Sequence, residues 1–151
     1  MISYFPDLNV WLALSIDKHM HSEEAWNWLK KLPQEAKLIF SRYTNLGLLR
    51  LLTNQSAMGE HKLTLKGAWS LYDGWLADSR VEFHPEPRGV DPLLRELTEP
   101  FANKPASNII GDCYLLACAR ASHATLVTFD RVLHDLARKK GYAAVMPSTG
   151  T

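Results

Sequence analysis

Short apolar runs typical of strands alternate with amphipathic helical patterns along this chain of 151 residues. The strand-like runs are residues 2–6, 37–41, 81–83, 124–129 and 143–146. The alternation predicts an α/β fold with a mostly parallel sheet covered by helices on both faces. Because no repeat, low-complexity segment or linker interrupts it, we expect residues 1–151 to form a single domain.

Polar residues at the starts of the helical patterns predict where several helices begin. The predicted N-caps are Ser22, Thr64, Asp91 (followed by Pro92 in the first turn) and either Ser107 or Asn108. The segment 54–61 lacks periodicity and is predicted to be a loop.

Three aspartates lie at predicted junctions between strands and helices. Asp7 ends the first strand, Asp130 ends the run 124–129, and Asp112 opens an apolar helical stretch. In an open parallel sheet, ligands bind outside the carboxyl ends of the strands, so these acids can converge on one point. Converged carboxylates repel each other unless a cation neutralises them. The alternative is that each aspartate is simply a helix N-cap.

An all-oxygen set of ligands favours Mg²⁺ or Mn²⁺. We predict that Asp7 and Asp112 hold the metal, while Asp130 orients a water for attack on a phosphodiester. Thr128 is on the same side of its strand as Asp130, because strand side chains alternate with period two. Its hydroxyl is therefore a candidate partner for the acids, although a threonine in a strand is also simply a good β-former.

Net charge, cysteine spacing and sequence motifs argue against several other functions. The net charge of +1 gives no overall attraction to nucleic acid or to membranes. Cys113 and Cys118 lie five positions apart in one predicted helix, so they are poorly placed to bridge and lack zinc-site spacing. No nucleotide-binding glycine motif or serine-hydrolase elbow is present. Without a signal-like N-terminus or a long apolar run, we expect a cytoplasmic protein with no membrane association.

Motifs carrying these aspartates resemble those of PIN-domain proteins. Residues 5–12 (Phe-Pro-Asp-Leu-Asn-Val-Trp-Leu) resemble the opening strand and helix of that family, and residues 111–117 its later Asp-Ala-Tyr-Leu-Ala helix start. Residues 124–131 resemble its last acid-bearing strand, and residues 44–54 are similar to the third-helix region of VapC-type toxins within the family.

The resemblance implies a three-layer α/β/α sandwich and Mg²⁺- or Mn²⁺-dependent endoribonuclease activity. It also implies a homodimer that is inhibited by a small VapB-like antitoxin. The site residues carried over are Asp7, Asp112 and Asp130, with Asn45 where the family usually has a glutamate. Asn9, two positions after Asp7, is predicted together with Thr128 to support the site. Asn45 carries no charge, so the site would contain three carboxylates instead of four.

Two other functions remain open from the sequence. Asn45 favours a catalytically impaired PIN domain that binds RNA or protein without cleaving it. A receiver-like signalling domain also gathers acids around Mg²⁺ at strand ends. That class expects a pair of acids after the first strand, whereas Asp7 is followed by no acid until Asp17.

Overall fold

The computed structural model describes residues 2–148. Within these residues, five strands form one sheet: β1 (Ser3–Pro6), β2 (Lys37–Phe40), β3 (Val81–Phe83), β4 (Thr125–Val127) and β5 (Ala144–Val145). They lie in the order β3-β2-β1-β4-β5, and each neighbouring pair is parallel. From β1 the chain adds β2 and β3 on one side, and it then crosses over to add β4 and β5 on the other side. That reversal creates a crevice at the carboxyl ends of β1 and β4, where ligands bind in open parallel sheets.

In the part of the chain that the structure describes, eight α-helices connect and follow the strands. They are α1 (Leu8–Ser15), α2 (Ser22–Lys30), α3 (Arg42–Leu52), α4 (Gln55–Met58), α5 (Leu65–Leu76), α6 (Val90–Thr98), α7 (Ile110–Ala121) and α8 (Arg131–Lys139). Single 3₁₀ turns lie at Gly59–His61 and Glu99–Phe101. No helix in residues 2–148 is long and apolar enough to cross a membrane.

The described residues form two hydrophobic cores, which lie on opposite faces of the sheet. One packs α1, α2, α3 and α5 against the sheet, and the other contains the buried sides of α6, α7 and α8. Along β2, Leu38 and Phe40 point into the first core and Ile39 into the second, as the period of two requires. The predicted three-layer α/β/α sandwich is therefore confirmed, and its sheet is entirely parallel within the described residues.

Trp11 anchors α1 on the sheet. Its ring is fully buried and stacks on Phe40 of β2 at a centroid separation of 3.8 Å and an interplanar angle of 13°. Burial of a large side chain of this kind contributes roughly 2–3 kcal/mol. The stacking fixes the direction in which α1 leaves β1, and with it the position of Asp7 at the junction.

Several predicted boundaries are wrong. Helix α2 is capped by His21, α6 by Gly89 (φ 86°) and α7 by Ile109, none with a side-chain hydrogen bond, so Ser22, Asp91, Ser107 and Asn108 are not N-caps. Asp91 lies inside the first turn and pairs with Arg95 (2.8 Å). The predicted loop 54–61 contains α4, because the Asn54 side chain accepts from the Ala57 N–H (3.1 Å). The Thr64 cap is confirmed.

Candidate active site

The carboxyl ends of β1 and β4 bring Asp7 and Thr128 together. Pro6 is the register partner of Val127, so the next residues along both strands are adjacent. The Asp7 backbone N–H extends the ladder by donating to the Val127 carbonyl (2.9 Å). Both side chains are buried, and a polar side chain buried here needs a hydrogen-bond partner.

Hydrogen bonds fix the Asp7 carboxyl group at both oxygens. Oδ1 accepts from the Val10 N–H (3.0 Å), which makes Asp7 the N-cap of α1. Oδ2 accepts from the Thr128 hydroxyl. Thr128 Oγ1 in turn accepts from the backbone N–H of Asp130 (3.0 Å). A continuous hydrogen-bonded chain therefore runs from Asp130 through Thr128 to Asp7.

Burial raises the pKa of Asp7 to about 6. The bonds from Thr128 and Val10 favour the ionised form and lower this pKa, while the negative charges of Asp112 and Asp130 raise it. The hydrogen bonds therefore offset only part of the cost of burying the charged form of Asp7. An added positive charge would stabilise that form.

Asp112 and Asp130 belong to the same electrostatic cluster. Asp112 is half-buried in the first turn of α7, and its pKa is raised by burial and then by the charge of Asp130. Asp130 is exposed and caps α8, with Oδ1 accepting from the N–H groups of Val132 (2.9 Å) and Leu133 (3.2 Å). Asp7 and Asp130 are thus N-caps as well as neighbours in this cluster, whereas Asp112 caps no helix.

Asn45 is fully buried in the first turns of α3, in the element that follows β2. Its Oδ1 accepts from Arg42 Nη1 (2.8 Å). Because a guanidinium can only donate, the amide oxygen must be the atom that faces Arg42. The amide Nδ2 has no hydrogen-bond partner among residues 2–148.

Asn9 and Asn45 differ in their surroundings. Asn9 is exposed on α1, and its side chain makes no hydrogen bond within residues 2–148. Sequence reasoning did not select Arg42 or Tyr43, which begin α3 beside the same edge of the sheet. Their position directly after the second predicted strand was the available signal.

Tyr43 reaches from α3 to the start of α7, beside Asp112. A Cβ atom on Gly111 would lie 2.1 Å from the Tyr43 hydroxyl oxygen, so only glycine allows this contact. Arg42, Tyr43, Gly111 and Tyr114 are among the residues that line a groove of about 470 Å³ here. The groove places the beginning of α3 opposite the turn that carries Asp112.

The site offers oxygen donors for a divalent cation. Within residues 2–148, no three His, Cys, Asp or Glu side chains are close enough to form a ready-made cage. Mg²⁺ commonly takes one or two carboxylates and completes its coordination with waters and substrate phosphates. Asp7 and Asp112 fit that requirement, since their repulsion is the kind a cation relieves.

Comparison with known proteins identifies the family. The PIN-domain family model matches residues 4–139. Ribonuclease VapC41 of Mycobacterium tuberculosis is 34% identical, over 82% of this chain and 86% of the relative. The chain therefore belongs to the PIN-domain family. Within the family, its similarity is to VapC-type proteins.

Solved structures share the fold at lower sequence identity. VapBC2 of Rickettsia felis, solved with a DNA fragment from its promoter, has a TM-score of 0.69 at 17% identity, covering 97% of this chain and 100% of that one. VapC20 of Mycobacterium tuberculosis, a toxin that cleaves the sarcin-ricin loop, has a TM-score of 0.66 at 16% identity, with coverages of 95% and 99%. At these identities the likeness concerns the fold alone. The resemblance seen in the sequence motifs is confirmed by the family match.

Proposed function

We propose that this chain is a Mg²⁺- or Mn²⁺-dependent endoribonuclease and the toxin of a type II toxin–antitoxin pair, acting in the cytoplasm. The observation that carries the proposal is the buried Asp7 carboxyl group at the crevice of the parallel sheet, bonded to the Thr128 hydroxyl and acted on by the charges of Asp112 and Asp130. The 34% identity to a protein named as a ribonuclease supports the same reaction here.

Each acid has a distinct proposed role. Asp7 and Asp112 would hold the metal, because Asp7 is fixed by two hydrogen bonds and Asp112 caps no helix. Asp130 would orient the attacking water, since it is exposed and can meet both solvent and substrate. A bound Mg²⁺ or Mn²⁺ would activate water and stabilise negative charge on the phosphodiester. Thr128 favours the ionised form of Asp7 and positions its carboxyl group by donating to Oδ2.

The test is cleavage of labelled RNA by purified protein with Mg²⁺, Mn²⁺ or EDTA, comparing wild type with Asp7→Asn and Asp112→Asn. We expect metal-dependent cleavage that both substitutions abolish, together with a loss of Mn²⁺ binding in titration calorimetry. Asp73→Asn on α5 is the control, because that exposed acid lies outside the cluster. A wild-type protein that cleaves no RNA, with a growth effect unchanged by Asp7→Asn, would overturn the proposal.

The proposed partners are a second copy of the chain and a VapB-like antitoxin. Several structural neighbours are VapBC proteins, which supports an antitoxin. Leu65, Trp69 and Leu76 leave apolar surface exposed on α5 that a partner would bury. An antitoxin arginine placed near Asp7 and Asp112 would compete with metal. Antitoxin binding that leaves Mn²⁺ affinity unchanged would exclude this mode of inhibition.

A second candidate function is an impaired PIN domain that binds RNA or protein without cleavage. The neutral Asn45, already bonded to Arg42, favours it, because it adds no carboxylate to the site. Tight binding that EDTA does not disturb, with no cleavage under any metal, would select this function over the nuclease.

A further inference from the structure

Arg42 is a cation at the carboxyl edge of the sheet that has no acidic partner within residues 2–148. The Lys and Arg residues that do pair with an acid in residues 2–148 are Lys37, Arg80, Arg95 and Lys140. Arg42 is exposed, so its full charge remains available to a ligand.

Two neutral groups nevertheless hold the guanidinium of Arg42 in place. Nη1 donates to the buried Oδ1 of Asn45 (2.8 Å), and Cζ lies 4.6 Å from the centre of the Phe83 ring, at the end of β3. Contact with an aromatic face and a hydrogen bond to a fixed amide orient a guanidinium without neutralising it. A carboxylate at position 45 would form an ion pair with Arg42 instead.

Arg42 begins α3 at the carboxyl edge of the sheet that also carries the acids, and it forms no salt bridge with them within residues 2–148. Arg42 lines the groove that also contains Gly111, the residue before Asp112. A polyanion approaching these acids is repelled by them. A fixed cation farther along the same edge of the sheet attracts a phosphate and so offsets part of that repulsion.

We propose that Arg42 binds a backbone phosphate of the RNA next to the one that is cleaved, and that Asn45 is the positioning residue for Arg42. The inference rests on the proposed nuclease function and adds a substrate-binding residue to it. It also gives the asparagine at position 45 a role: a neutral acceptor orients the guanidinium and leaves its charge free for the phosphate.

The experiment measures equilibrium binding of a short fluorescein-labelled single-stranded RNA in EDTA, where cleavage is prevented. Wild type is compared with Arg42→Gln across salt concentrations from about 50 to 200 mM. We expect affinity to fall roughly tenfold, as for loss of one charge-assisted contact. The slope of log affinity against log salt should fall in magnitude by about 0.7, the value for one phosphate contact on a single strand.

Arg50→Gln is the matched control, because Arg50 is exposed in the last turn of the same helix, far from the carboxyl edge. It should leave the salt slope unchanged. If Arg42→Gln keeps the wild-type affinity and slope while the wild type cleaves RNA, the role of Arg42 is overturned and the nuclease function stands. A wild type that neither binds nor cleaves RNA would overturn both.

A double-mutant cycle tests the role of Asn45. Asn45→Leu removes the acceptor for Arg42 and should weaken RNA binding in the wild-type background. In the Arg42→Gln background the same change should have no further effect on RNA binding, since the residue it positions is absent. Equal losses in the two backgrounds would overturn the positioning role. Circular dichroism melting identifies any variant that is unfolded, and Asn45→Ala then replaces Asn45→Leu in the cycle.

Discussion

The Thr128 hydroxyl donates to Asp7 Oδ2 and so joins two residues that are 121 positions apart in the sequence. The same oxygen accepts from the Asp130 N–H. One side chain therefore connects Asp7, the first acid of the chain, to the loop that carries Asp130.

Thr128→Val should raise the pKa of Asp7 further, because the lost hydrogen bond favours the ionised carboxylate. The acidic limb of the pH–rate profile should move to higher pH, and stability should fall by about 1–3 kcal/mol since the Asp130 N–H loses its acceptor. Thr128→Ser keeps the hydroxyl that donates to Asp7 Oδ2 and should therefore show the wild-type profile. Thr125→Val, at the other end of β4, is the control and should leave the profile in place.

Metal-free Asp7→Asn should become more stable than wild type as the pH rises. The folded-state pKa of Asp7 is raised from 3.8 to about 6. The stability that its protonated form contributes is therefore present below the unfolded-state pKa and is lost as pH rises through 6. The free energy of unfolding of the mutant minus that of wild type should increase by roughly 2–3 kcal/mol between pH 4 and pH 7. Urea titrations in EDTA measure it, and a difference that does not vary with pH would contradict the burial argument.

Much of this site can be predicted from where the strands end and from the alternation of side chains along a strand. Asp7, Thr128 and Asp130 are close because a parallel sheet aligns the carboxyl ends of β1 and β4, and the sequence shows where both strands end. Arg42 could not be found in this way, because its role depends on Asn45 and Phe83, whose meeting requires the packing of α3 beside β3. The caps of α6 and α7 were missed for a related reason: backbone conformation at Gly89 and Ile109 begins these helices without a capping side chain.

Gly111→Ala should turn the Tyr43 side chain away from the start of α7. The new Cβ would lie 2.1 Å from the Tyr43 hydroxyl oxygen. Because Tyr43 is 45% exposed and the clashing atom is the end of its side chain, rotation toward solvent relieves the clash. Melting temperature and Mn²⁺ affinity should therefore stay close to wild type, within about ±0.5 kcal/mol, as is typical of surface substitutions. Gly74→Ala on α5, where a Cβ meets no atom of residues 2–148 within 4 Å, is the control. A fall in both quantities that Tyr43→Phe reverses would show instead that Tyr43 is held in place and that the turn carrying Asp112 moves.

A glutamate at position 45 should strengthen Mn²⁺ binding only when Arg42 is removed. In the wild type the Arg42 guanidinium donates to Asn45 Oδ1 at 2.8 Å. In Asn45→Glu the new carboxylate would take the place of that oxygen, and an ion pair with Arg42 would neutralise the added charge. In Asn45→Glu/Arg42→Gln the carboxylate has no cation partner, so it adds to the repulsion among the acids and a divalent ion relieves it. We expect Mn²⁺ affinity close to wild type for the single mutant and about tenfold tighter for the double mutant, a change of roughly 1.4 kcal/mol. Titration calorimetry with Mn²⁺ measures both, and Arg42→Gln alone provides the reference for the double mutant. Equal affinities for Arg42→Gln and the double mutant would place the side chain at position 45 outside the metal site.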